Sequence, residues 1–278
     1  MARAFRTPNV FLIGAYAVIV GIFAVPLLEV FSLSLKTLRE AYAYPPTLIP
    51  LRPTIDNYIA VWTTTPVVRY FSNSIIIVLV AVLGSLAVSI PFAYALSRFH
   101  FRAKPLALLS LLVVRMISPV IIIVPLYRYY AALGLLDSLA GVAAVYVATQ
   151  APVATWVLKG FFDTIPADLD HAALIDGCSR LQALIRVVLP VSLPGIAAAV
   201  IFDAIFGWSQ FLVPFVLLTD SKRFPISVGI LTFQSTAESI SIHLLAAASI
   251  IAILPVVVVF VLLQRYIVYA LTAGAVKR

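Results

Sequence analysis

The stretch DHAALIDGCSRLQALIRVVLPVSLPG at 170–195 places polar and turn-forming side chains at regular spacings inside an otherwise oily chain. Asp176 can accept hydrogen bonds at a helix end, and Gly177 beside it tolerates a left-handed backbone. Ser179, followed three residues later by Gln182, has the spacing of a capping box. That is chemistry for building an exposed turn, not for breaking bonds. Elsewhere the reactive groups are scattered. His100, His171 and His243 lie far apart in the sequence, and Cys178 is the only cysteine, so there is no internal disulfide and no metal-ligand spacing. No G-x-x-x-x-G-K-[ST] phosphate loop, G-x-S-x-G elbow or H-E-x-x-H pair occurs. Arg115 and Asp203 fall near the middle of apolar stretches. Each costs about 2.5–3.5 kcal/mol at the centre of a membrane helix, so neither should face lipid.

The elements that carry these residues follow from composition. The chain is 63% hydrophobic and 11% charged, against about 25% charged in a soluble domain. It reads as an all-α polytopic membrane protein. The net charge of +8 then marks loops and lipid headgroups, and nucleic acid is excluded as a partner. Six stretches reach the roughly 20 apolar residues a bilayer requires: about 10–34, 70–97, 106–130, 138–160, 193–219 and 244–264. The first follows Arg3 and Arg6 and is too long for a cleavable signal, so it is expected to be retained. With the N-terminus inside, the inner segments carry eleven bases against Asp163, Asp168, Asp170 and Asp176, and the outer segments seven bases against five acids including Glu238. Both termini, Arg3 and Arg6 at one end and Lys277 and Arg278 at the other, are therefore expected to be cytoplasmic. Prolines in 44–53 argue against long regular helix there, and a short helix is expected from Ile55 to Trp62. One membrane domain, 1–278, is expected.

Between spans four and five a loop of about 161–192 should form helix, glycine turn and amphipathic helix. Pro166 suits a first helical turn, and Leu169, Ala172, Ala173 and Leu174 or Ile175 are available to pack over 167–176. Leu181, Leu184, Ile185, Val188 and Leu189 fall on one apolar face. Pro190 and Pro194 turn the chain back toward the membrane. The same pattern suits a helix lying on headgroups, a DNA-binding helix-turn-helix, improbable between two spans, or a helical pair that docks into a cytoplasmic partner.

The segment resembles the EAA signature of ATP-binding-cassette importer permeases: Glu-Ala-Ala, two residues, Asp-Gly, and a later Leu-Pro. Here it reads His171-Ala172-Ala173, Asp176-Gly177 and Leu189-Pro190. YPPTLIPLRPTIDNY, RYFSNS (69–74), PFAYALSRFHF (91–101), PLYRYYAALGLLDS (125–138) and the ending QRYIVYALTAGAVKR (264–278) resemble the sugar-uptake branch, specifically the smaller membrane subunit of the maltose-type transporters. His171 stands where that family usually has Glu, and Cys178 where it usually has Ala. Asp170, one residue earlier, is a carboxylate that could stand in for the Glu.

This resemblance implies a permease with six transmembrane helices and a cytoplasmic coupling helix, importing sugar by alternating access. Its implied partners are a second homologous permease, two ATP-binding subunits and an extracytoplasmic solute-binding protein, in the inner membrane of a prokaryote. The chain itself is expected to hold no cofactor, ATP and Mg being bound by the ATPase subunits. ATPase coupling is expected at Asp170, His171, Ala172, Ala173, Asp176, Gly177, Leu189 and Pro190. Arg115, Gln150, Asp203, Trp208 and Gln210 are candidates to line the translocation path. For Arg115 and Asp203 an ion pair, or a buried contact with the partner permease, is an equal reading. Trp208, in GWSQFL (207–212), either stacks on a sugar or packs the bundle. A secondary transporter or channel driven by an ion gradient is the alternative, for which Arg115 and Asp203 are the only intramembrane relay candidates.

Overall fold

The computed structural model describes residues 10–234 and 242–275. Arg3, Arg6, Glu238, Lys277 and Arg278, which the charge balance uses, lie outside them. Among the described residues every regular element is helical: α1 Val10–Ser34, α2 Leu38–Ala41, α3 Asp56–Thr64, α4 Val67–Arg98, α5 Lys104–Met116, α6 Pro119–Ala132, α7 Leu139–Phe162, α8 Asp168–Ile175 and α9 Arg180–Ala183. A π-helical turn, Leu184–Val188, leads to α10 Leu189–Val191, α11 Leu193–Ser209, α12 Leu212–Leu217, α13 Ile226–Gly229 and α14 Ile242–Ala275.

Four segments are each long and apolar enough to cross a bilayer: Leu12–Ser34, Val67–Arg98, Leu139–Phe162 and Ile242–Leu262. The stretches 106–130 and 193–219, expected as single spans, are broken instead. α5 and α6 meet at 91°. Ser118 precedes Pro119, whose ring drives the residue before it out of the α region, and Ser118 has φ −65° and ψ 131°. α11 stops at Ser209 because Gln210 is extended, and α12 starts after it. At its other end α11 leaves the Arg180–Val191 segment at 81°, so counting each bent pair as one span gives up to six.

The chain divides into two compact units, residues 1–67 with 230–252 and residues 68–229 with 253–278. In the first, α1 is apolar on every side from Val10 to Leu28 and almost uncovered, as a lipid-facing helix must be, with Glu29 near its end. Its end is closed by the loop that follows. Asn57 Nδ2 donates to the carbonyls of Ser34 and Lys36 at 2.8 and 2.7 Å, and Thr54 N–H donates to the Leu35 carbonyl at 2.8 Å. Glu40 accepts from Leu51 N–H at 2.5 Å and from the Thr47 hydroxyl at 3.3 Å. The expected short helix is α3, and 44–53 holds no regular helix.

The second unit has two buried clusters. One joins Ile77 and Ala81 of α4, Tyr130 of α6, Val142 and Tyr146 of α7, and Val213 and Leu217 of α12. The other joins Ala93 and Tyr94 of α4, Leu158 and Phe162 of α7, Leu184 and Val188 of the π turn, and Ala199 of α11. α4 and α7 therefore run in the same direction, and α11–α12 runs against them. Beside the first cluster Asp137 adopts φ 56°. It accepts from Thr219 N–H at 2.6 Å, the Thr219 hydroxyl at 2.5 Å and Asp220 N–H at 2.8 Å. Those bonds, Asp220's first, hold its carboxyl below the ordinary range against the opposing effect of burial. Arg223 Nη1 donates to the Asp137 carbonyl. The clamp fixes the 134–138 loop to 219–223, at the end of the unit away from the EAA-like segment.

Candidate functional site

The EAA-like segment is built by local rules. Gly177 has φ +87°. Its N–H donates to the Leu174 carbonyl at 3.1 Å, and Cys178 N–H donates to the Ala173 carbonyl at 3.0 Å. These two bonds with a left-handed glycine form a Schellman motif, which closes α8. Ser179 N–H donates to Gln182 Oε1 at 2.8 Å and Gln182 N–H donates to Ser179 Oγ at 3.3 Å, the predicted capping box opening α9.

The apolar face of the second helix differs from expectation. Leu184 and Val188 are buried, but Leu181 is 64% and Ile185 53% exposed. The cause is the π turn, in which Leu189 N–H bonds to the Leu184 carbonyl five residues back. Pro190 has no N–H and its ring crowds the Arg186 carbonyl, so the helix widens and the face rotates. Of the first helix only Ala173 and Asp170 are buried, while Ile175 is 86% exposed. His171, Ala172, Ile175, Asp176 and Gly177 thus form an exposed edge beside Leu181. Leu189 is half-buried and Pro190 exposed.

Asp170 points inward. Its carboxylate accepts from Arg98 Nε at 2.8 Å and from the Tyr94 hydroxyl at 2.7 Å. Arg98 Nη1 also donates to the Phe162 carbonyl at 3.0 Å. A second tie lies alongside: Ser97 Oγ and Lys159 Nζ donate to Asp163 at 2.7 and 2.6 Å. Burial pushes the Asp163 carboxyl up, but the bonds from Lys159 and Ser97 more than offset it and hold it below the ordinary range. Arg180 stacks over the Phe99 ring at 5.0 Å. The end of α4 therefore grips both sides of the segment. Asp170 cannot substitute at the surface for the usual Glu; it tethers the segment from within. Arg98 and Tyr94 went unread as site residues although PFAYALSRFHF contains them, because their partner lies 72 to 76 residues further on.

The path candidates separate into two groups. Arg115, Gln150 and Asp203 line one cavity of about 70 Å3, with Val153, Phe202 and Phe206. Arg115 and Phe206 also line an adjoining cavity of about 150 Å3, together with Gln210 and Thr149. Arg115 lies over the Phe206 ring at 5.0 Å. Among the described residues it forms no ion pair with Asp203. The Gln210 carbonyl accepts from Ser227 Oγ at 2.8 Å. Trp208 lies elsewhere, edge-on to Phe71 at 5.5 Å and facing an apolar hollow with Val82 and Pro255.

The sequence and fold have relatives. Residues 50–272 match the family described as "Binding-protein-dependent transport system inner membrane component". The sulfoquinovosyl glycerol transport system permease protein SmoH of Agrobacterium fabrum is 32% identical over 97% of this chain and 94% of its own. The trehalose/maltose transport system permease protein MalG of Thermococcus litoralis is 33% identical over 83% of this chain and 84% of its own. In structure, the fold resembles a chain of a bacterial ABC transporter involved in import of the acidic polysaccharide alginate, with TM-score 0.78, 23% identity, and 95% and 99% of the two chains covered.

Proposed function

The chain belongs to the family of binding-protein-dependent transport system inner membrane components, and from that premise we propose that it is the membrane-spanning permease subunit of an ATP-driven sugar importer. The observation that carries the reading is the exposed Schellman-and-capping-box segment, 168–183, on a chain whose relatives are sugar permeases. With no phosphate loop of its own, the chain draws energy from two ATPase subunits, which hold ATP and magnesium. Their closure moves the segment, and the α4 end follows it through Arg98 and Asp170. A second permease completes the path, a loaded binding protein docks on the opposite side, and the two permeases alternate between inward- and outward-facing states. Six spans with both termini cytoplasmic fit this reading, the 168–183 segment then facing the cytoplasm.

The test is uptake by proteoliposomes holding the chain with its partner permease, the ATPase subunits and the binding protein. Maltose, trehalose and sulfoquinovosyl glycerol, offered in turn, should include a sugar accumulated only when ATP is inside and all subunits are present. Accumulation by this chain alone, driven by an ion gradient, would overturn the proposal in favour of a secondary transporter.

A further inference from the structure

The cavity among α5, α7 and α11 holds polar atoms that the chain leaves unsatisfied. Gln150 and Asp203 are each 2% exposed, and both line it. Gln150 Nε2 and Oε1 and Asp203 Oδ2 have no hydrogen-bond partner among the described residues, and the fully buried Ser85 on α4 stands beside Asp203. Gly207 leaves this amide room, since a Cβ there would sit 3.0 Å from Gln150 Nε2. Orphaned polar groups at membrane depth are costly, and they persist where irregular structure lines a cavity that water or a ligand enters. Two such irregularities meet here. The breaks at Ile117–Ser118 and at Gln210–Phe211 both border the adjoining cavity, through Arg115, Ile117 and Pro119 on one side and Gln210 on the other.

The orphaned set selects its ligand. A metal cation would satisfy Gln150 Oε1 and Asp203 but leave the amide N–H unused. A simple anion would satisfy the N–H and pair with Arg115, but it brings no donor for Gln150 Oε1 or Asp203. Hydroxyl groups do both, each donating to an acceptor oxygen and accepting from the amide. Two adjacent hydroxyls match the amide and carboxylate together. The Phe206 ring, shared by both cavities and carrying the Arg115 guanidinium on one face, supplies an apolar surface beside them. We propose that Gln150 and Asp203 form a binding site for vicinal hydroxyls, which brings this subunit into direct contact with its polyhydroxylated substrate. The smaller cavity takes one edge of a sugar ring, and the adjoining one, at the helix breaks, takes the remainder. This rests on the importer reading above and adds to it where in this chain the sugar is held.

The test uses the assembled importer in nanodiscs with Val153→Cys, a wall residue of the same cavity. Alkylation at position 153 by iodoacetamide is read by mass spectrometry, with maltose, trehalose, sulfoquinovosyl glycerol or 1,3-propanediol present. The sugar that the proteoliposomes accumulate, at about ten times its Kd, should slow alkylation about tenfold, while sugars not accumulated have no effect. Adding Gln150→Leu and Asp203→Asn should remove that protection while ATPase subunits still copurify. Alkylation that no sugar slows would show a cavity holding water only, and alkylation slowed equally by 1,3-propanediol, whose hydroxyls are not adjacent, would show no vicinal-hydroxyl site; either overturns the proposal. Protection that survives the double substitution also overturns it. Each of these results leaves ATP-dependent uptake intact, so failure here is separable from failure of the importer reading.

Discussion

Gly177→Val should cut binding-protein-stimulated ATP hydrolysis and sugar uptake by at least about tenfold. A left-handed backbone costs an L-residue about 1–2 kcal/mol, more when it is β-branched, and each 1.4 kcal/mol is a factor of ten. Gly177 holds φ +87°, and a Cβ there meets nothing within 4 Å. The penalty is therefore one of backbone conformation, with no crowding to relieve. Valine must open the Schellman turn, releasing the bonds from Gly177 and Cys178 to Leu174 and Ala173. The exposed edge of His171, Ile175 and Asp176 then loses its angle to α9. Asparagine tolerates this region far better, so Gly177→Asn should keep most of the coupling. Stimulated hydrolysis measured in nanodiscs decides it; normal stimulation in Gly177→Val would remove the turn from the mechanism.

Arg98→Ala should uncouple the transporter by a different route, by loosening the segment from the bundle. Arg98 and Asp170 side chains are 10% and 8% exposed, and removing one member of a buried pair costs about 3–5 kcal/mol because the other charge remains. The Phe162 carbonyl loses its donor in the same step. Hydrolysis should continue while the sugar moved per ATP falls about tenfold or more, since the ATPase then pushes a segment that no longer pulls α4. Arg98→Ala with Asp170→Ala should recover melting temperature, because no buried charge is stranded, but not the transport ratio. A transport ratio unchanged in Arg98→Ala would show that motion reaches the spans through other contacts.

Why the turn was legible from sequence and the tether was not comes down to range. The determinants of Gly177 and of the Ser179–Gln182 box lie within five residues, so type and spacing specify them. α1 was equally legible, because the long apolar run from Val10 to Leu28 needs nothing from elsewhere. Breaks inside apolar runs were harder. Pro119 and extended Gln210 interrupt stretches that stay apolar on average, and hydropathy reports burial in lipid rather than backbone continuity. A period of 3.6 puts Leu181 and Ile185 on one face with Leu184 and Val188, and a five-residue π turn does not keep that period. The Arg98–Asp170 tether and the meeting of Arg115, Gln150 and Asp203 depend on three or more helices packing. Such contacts are set by tertiary geometry, and no spacing within the sequence encodes them.

On the proposed function, an ATPase moves this chain through the segment 168–183. The most direct measurement puts the photo-crosslinking residue benzoylphenylalanine in place of Ile175, the most exposed apolar side chain of α8 at 86%, within the assembled importer. Irradiation should join the permease to the ATPase subunit in high yield, and Leu181 should behave likewise, while the same probe at Tyr44, in the loop after α1, should give no ATPase adduct. Absence of an ATPase adduct from both 175 and 181, in a complex that still accumulates sugar with ATP, would contradict the account.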